Sequence, residues 1–176
     1  MNSRVGELGE AFARLLARDG GHSQPVPAVP EPTSPGRAEA EAEVAPCRLT
    51  DYGLRGYHLD VGVASGEVVA AAELLDREGF ALDAITGVDW LAEGQMEVVY
   101  DYFHPHEGLR VVVRARIPRD QPDIATICRV FPGANWHERE AHDFFGIRFL
   151  CHPDLTPLLL PEDATYHPLL KDFVAA

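Results

Sequence analysis

The chain has 176 residues, room for one domain of ordinary size with tails, and its 46% hydrophobic content supports one packed core. A net charge of −13 with a pI near 4.9 argues against nucleic acid as a partner and suits an anionic lipid face poorly, because both call for a basic surface. No apolar run is long enough to span a bilayer, and the opening MNSRVGELGEAFARLLARDG lacks the apolar core and small-residue cleavage site of a secretory signal, which predicts a soluble, cytosolic protein.

Residues 3–18 place Val5, Leu8, Phe12, Leu15 and Leu16 at helical spacing, with Gly20-Gly21 as the stop. The stripe needs something to lie against. Residues 22–46 carry six prolines and no Leu, Ile or aromatic residue, a composition that cannot bury enough surface to offset its ordering entropy. The chain therefore reads as an amphipathic helix (1–21), a Pro/Ala/Glu-rich linker (22–46), an α+β domain (47–150) and an extended C-terminal arm (151–176).

Within the domain, YHLDVGV (57–63) alternates like a strand, and Ser65 is positioned to cap a helix carrying Val68, Val69, Ala72 and Leu75 that ends at Gly79. ALDAITGVDW (81–90) reads as a second strand. Met96, Val98, Tyr100 and Tyr102 alternate with Gln95, Glu97 and Asp101, and Leu109, Val111, Val113, Ala115 and Ile117 alternate with Arg110, Arg114 and Arg116. Joined by HPHEG, they predict an antiparallel hairpin with one buried and one wet face, its acids facing arginines across the strands. Pro122 opens a predicted helix bearing Ile124, Ile127, Cys128 and Phe131 and stopped by Pro132-Gly133. The expected architecture is a small, mostly antiparallel sheet with helices on one face.

Three cysteines, Cys47, Cys128 and Cys151, suit neither a disulfide framework, which favours an even count, nor a self-contained iron–sulfur cluster, which needs a further thiolate. Cys128 reads as a core thiol of the predicted helix, and Cys151, beside His152, is the one with any reactive prospect.

The segment WHEREAHDFFGIRF (136–149) has the composition of a chemical site. Asn135 and Glu138 form a capping-box pattern and Gly146 sits at a C-terminal cap position, so the segment reads as a short helix. His137, Glu138 and His142 resemble the zinc-protease motif with one residue too many. Five positions turn the second imidazole about 140° from the first, so the two cannot share a metal on a straight helix. Arg139 with Asp143 and Glu138 with His142 stand four apart, as exposed ion pairs would, and a carboxylate matched to a cation is poorly suited to proton transfer near neutral pH. Trp136, Phe144 and Ile147 fall near one face and read as core. Beyond them, prolines 153, 157 and 161 forbid a continuous helix, and the leucines among them make an arm that either lies in a partner's groove or wraps its own domain.

The ordered motifs ERE-A-HDFFGI-RF, HPDL, LLPED and HPLLKDF resemble the signature of the thirty-kilodalton subunit of respiratory complex I (NADH-quinone oxidoreductase), a family that includes the equivalent subunit of energy-converting nickel–iron hydrogenases and formate hydrogenlyases. The resemblance covers about residues 55–173 and is most specific from Trp136 onward. It implies a cofactor-free structural subunit, with no catalytic or metal-binding residue, in the hydrophilic arm of a membrane-associated electron-transfer complex. The implied partners are a large subunit, related to the nickel–iron hydrogenase large subunit and its complex I counterpart, and a small subunit bearing iron–sulfur clusters. The implied place is peripheral, on the cytoplasmic side of the cell membrane. By resemblance, the subunit-interface residues are Glu138, Arg139, Glu140, Asp143, Phe145, Gly146, His152, Pro153, Asp154, Leu155, His167, Lys171 and Asp172. Thr156-Pro157 stand where the family usually carries arginines, Ala164 replaces a common aromatic, and His142-Asp143 replaces a frequent Tyr-Asp. A stand-alone metal hydrolase and a binding module unrelated to redox are the rival classes.

Overall fold

The computed structural model describes residues 2–18 and 47–174, so the Gly20-Gly21 stop and the 22–46 linker lie outside the described residues. In chain order the elements are helix α1 (Asn2–Arg18), strand β1 (Cys47–Leu49), the single turn α2 (Tyr52–Arg55), β2 (Leu59–Val63), α3 (Val68–Arg77), β3 (Ala81–Trp90), β4 (Gln95–Phe103), β5 (Arg110–Pro118), β6 (Asp123–Ala125), α4 (Ala134–Phe145) and β7 (Arg148–Leu150). The main sheet has five strands in the order β1-β2-β5-β4-β3, antiparallel throughout except where β2 runs parallel to β5. Strands β6 and β7 form a separate parallel pair.

The hairpin register follows from the alternation. Met96, Val98, Tyr100 and Tyr102 stand opposite Ile117, Ala115, Val113 and Val111, so every one of these apolar side chains lands on one face and is buried. Helix α3 closes part of that face with Val68, Ala71, Ala72 and Leu75. Helix α1 closes more of it: Val5, Leu8, Phe12 and Leu16 join the same core beside β1, β2 and α3. The stripe read from the sequence has found its own domain to lie against.

Four local readings need correction. The second face of the hairpin is charged but not wet. Asp60 and Glu97 are buried there, with Val99 and Val112, because arginines lie over them. Arg114 Nε bonds Asp60 Oδ1 at 2.9 Å and lies near Glu97, Arg116 faces Glu97 across the strands, and the Trp90 ring covers Arg116 at 4.5 Å. The predicted cap at Ser65 is instead a tight turn over Ser65–Glu67, in which Glu67 Oε2 accepts the Ala64 amide at 2.7 Å.

The helix expected from Pro122 is strand β6 followed by turns. Ile124 is β-branched and suits a strand, and the amides a helix would need go elsewhere. The Thr126 amide bonds the Leu150 carbonyl at 3.0 Å, and the Ile127 amide bonds Glu138 Oε1 at 2.9 Å. That second bond also displaces the expected capping box of α4. Its N-cap is Gly133, no side chain caps it, and Glu138 points inward.

Candidate functional site

Helix α4 lies on β3 because Gly87 has no side chain. A Cβ there would come within 2.5 Å of the Phe145 ring, so the ring occupies the space that a side chain would fill. The helix ends as the sequence indicates, with Gly146 in the left-handed conformation (φ 73°) and its amide bonded to the His142 carbonyl at 2.8 Å. His167, from the arm, packs on Gly146 so closely that a Cβ would lie 2.8 Å from its ring, and its Nδ1 stands 2.8 Å from the Asp143 carbonyl.

The pairs predicted along the helix do not form. Arg139 and Asp143 both turn to the arm. Asp143 Oδ2 accepts the successive amides of Leu158, Leu159 and Leu160 at 2.9, 2.7 and 3.1 Å. Burial would raise its carboxyl pKa, but these amides outweigh that and hold it below the ordinary range. Arg139 donates to the Thr156 and Pro157 carbonyls at 2.9 and 2.8 Å and stacks on Trp136. Thr156 and Pro157 thus contribute their backbone oxygens. Trp136, expected in the core, is 61% exposed. Ile147 is buried as expected, and Phe144 is half-buried.

The far end of the arm has its own clamp. Asp89 accepts two bonds from Arg119, at 2.8 and 3.1 Å, and the Lys171 amide at 2.8 Å, while Arg119 also reaches Asp172 at 2.6 Å. The Arg119 guanidinium holds the Asp89 carboxyl below its usual range against the desolvation of its site. Neither Asp89 nor Arg119 stood out in the sequence, although Asp89 is in phase with the core residues Ile85 and Gly87 of β3, and an acid in an inward register is a detectable signal.

Glu138 and His142 do not pair with each other either. The His142 ring bonds the Ile147 carbonyl at 2.9 Å. Glu138 is fully buried and accepts from the Thr126 hydroxyl at 2.5 Å, the Ile127 amide and the Cys128 thiol at 3.3 Å, with His152 Nε2 at 3.8 Å. Desolvation raises the Glu138 carboxyl above its ordinary value and pushes the Cys128 thiol to about 11. Cys128 is half-buried in a turn and not in a helix core, and Cys151 is exposed.

The interface set named from the sequence divides in two. Glu138, Asp143 and the His152 side chain are buried, with Arg139, Phe145, Gly146, Leu155 and His167 half-buried around the arm's seat. Glu140, Pro153, Asp154, Lys171 and Asp172 are exposed. Along its length the arm turns some apolar side chains outward, notably Leu159 (60% exposed) and Leu169 (52%), with Tyr166 and Phe173 stacked on one another.

This arrangement has relatives. The chain is 36% identical over 131 residues to a subunit of the NADH-quinone oxidoreductase of a Chelativorans species, covering 72% of this chain and 65% of that one. It is 41% identical over 96 residues to a subunit of the F(420)H(2) dehydrogenase of Methanosarcina mazei, covering 52% of this chain and 59% of that one. The matched part therefore spans about three fifths of those relatives' length. Among solved structures, the archaeal membrane-bound sulfane sulfur reductase, a respiratory membrane complex, matches at TM-score 0.61 and 29% identity over 66% of this chain and 71% of that one. A trypsin-resistant fragment of Nqo5 matches at TM-score 0.51 and 30% identity over 55% of this chain and 82% of the fragment. Residues 61–176 match the family described as respiratory-chain NADH dehydrogenase, 30 Kd subunit, and the chain belongs to that family.

Proposed function

We propose that this chain is a structural subunit, with no redox centre of its own, in the hydrophilic arm of a membrane-associated electron-transfer complex of the NADH-quinone oxidoreductase type. It holds a large subunit, related to the nickel–iron hydrogenase large subunit and its complex I counterpart, in register with a small subunit carrying iron–sulfur clusters. Electron tunnelling falls steeply with distance, so a rigid spacer governs rate without carrying an electron. It sits peripherally on the cytoplasmic side of the membrane. Its attachment runs through the partners, and among the described residues no helix is long and apolar enough to cross a membrane.

The observation that carries this reading is the seated arm. Its backbone is fastened at both ends by Asp143 and Asp89, and while Leu155 and Leu170 pack against the domain's core, Leu159, Tyr166, Leu169 and Phe173 are exposed. A segment ordered before it binds loses little entropy on docking. Its outward apolar side chains, together with Trp136, supply the buried centre of an interface. Glu140, Asp154 and Asp172 supply a charged rim that fixes orientation more than affinity.

A second reading, the same role in an energy-converting complex other than an NADH dehydrogenase, such as a hydrogenase or formate hydrogenlyase, is favoured by the similarity to the F(420)H(2) dehydrogenase subunit and by the departures at Thr156-Pro157. The subunits that co-purify decide between them. The interface itself is tested by Leu159→Asp. We expect an unchanged melting temperature for the isolated chain and a severalfold loss of incorporation on native electrophoresis. Full incorporation of that variant overturns the docking role.

A further inference from the structure

The cluster at the root of the arm has no part in the docking surface. Cys128 comes from the turn after β6, Glu138 from α4 and His152 from the turn after β7, and one ligand atom of each lies within 4.8 Å of the others. We propose that Cys128, Glu138 and His152 form a structural site for a divalent cation of the zinc class. This departs from the expectation that the chain binds no metal, and it stands independently of the assembly role.

Three observations carry it. The His152 side chain is wholly buried, yet among the described residues its Nε2 has no hydrogen-bond partner, and it faces Glu138. Glu138 is a fully buried carboxylate, and the basic nitrogen facing it, His152 Nε2, stands 3.8 Å away, too far for a hydrogen bond. A bound dication would supply both the missing partner and the missing charge. Two of the three donor separations also fit, and the third lies within 4.8 Å. Donors around a tetrahedral zinc, at bond lengths of about 2.0–2.3 Å, stand roughly 3.3–3.8 Å apart. Here Cys128 Sγ and Glu138 Oε2 are 3.3 Å apart, and His152 Nε2 and Glu138 Oε2 are 3.8 Å apart. Thiolate, imidazole and carboxylate are the mixed donor set of zinc, and a further position falls to water. Cys128, half-buried, leaves the cluster a route to the surface.

His152 Nδ1 now accepts the Asp154 amide at 3.0 Å, which leaves the neutral ring's proton on Nε2. On binding, the ring proton moves to Nδ1, which requires the Asp154 amide to turn away from that nitrogen. The Cys128 thiol releases its proton, and no group is oxidised or reduced. Binding therefore strengthens as pH rises. The ion would tie the turn, α4 and the arm together, bracing the arm where it leaves the domain.

Cobalt(II), titrated into the 176-residue chain, is the probe. The expected result is a thiolate-to-cobalt charge-transfer band saturating at a single equivalent, displaced by zinc, and absent from Cys128→Ser and His152→Asn. Zinc should also protect Cys128 of the unaltered chain from iodoacetamide while exposed Cys151 keeps reacting, a readout that needs no variant to fold. A titration without the thiolate band overturns the site. So does uptake unchanged in Cys128→Ser, as surface histidines such as His106 would give, or a Cys128 alkylation rate indifferent to zinc.

Discussion

A single oxygen of Asp143 holds three successive amides of the arm, the arrangement by which the first turn of a helix holds an anion, here with the anion supplied by the protein's own side chain. Among the described residues no cation is bonded to this buried carboxylate, so its solvation is these amides and little else. Asp143→Ala removes the acceptor and leaves the amides to find water or stay unpaired, at a cost of about 1–3 kcal/mol. Denaturant unfolding should read that loss, and hydrogen exchange should show it concentrated at residues 158–160, with the β4–β5 hairpin unaffected. Equal protection of those amides in the variant would show that something else holds the arm.

At the scale of elements, α1 is the test of what belongs to the domain. Its stripe was legible from the spacing of Val5, Leu8, Phe12 and Leu16, but not its seat, which is the near edge of the sheet with α3. Phe12 is fully buried. Phe12→Ala should therefore destabilise the whole domain by about 3–5 kcal/mol, lowering its melting temperature in a single cooperative transition. A two-step transition, or no change, would mean that α1 is a separate unit resting on the surface. The β6–α4–β7 region makes the opposite point. Here an interior carboxylate, Glu138, replaces a helical carbonyl as the acceptor for the Ile127 amide, and this exchange turns an apparent helix into a strand and a turn.

Across the whole molecule, charge is used internally. Despite the acidic balance, Asp60, Glu97, Asp89 and Asp123 each face an arginine. The arm is fastened through buried carboxylates at both ends, which sets its response to acid. Asp89 and Asp143 have folded pKa values below the unfolded value, near 3.9 for aspartate. Their stabilising contribution is thus complete above about pH 4 and is lost as pH falls through the folded values. Glu138, with a raised pKa, acts in the other direction, since protonating it removes a buried charge and favours the fold. Acid should therefore release the arm before it opens the region around Glu138. Limited proteolysis with an acid-stable protease should cut within residues 156–174 increasingly fast below about pH 4, leaving residues 47–150 intact. A cleavage rate flat across that range would contradict the clamps.

Local pattern is enough to specify the hairpin and its register, a strand within 57–63 (found at 59–63), the strand at 81–90, the amphipathic α1 and the Gly146 cap, because each follows from periodicity or from the conformational freedom of one residue. The ordered motifs of the C-terminal third identified the family for the same reason, being short patterns at fixed spacing. The partners of the polar residues are a different matter, settled by packing. Arg139, Glu138 and Asp143 have helical neighbours at suitable spacing, yet each bonds to a segment distant in sequence. A buried carboxylate is stabilised more by converging amides and hydroxyls than by an exposed ion pair, and those donors come together only once α4, the β6 turn and the arm are packed against one another.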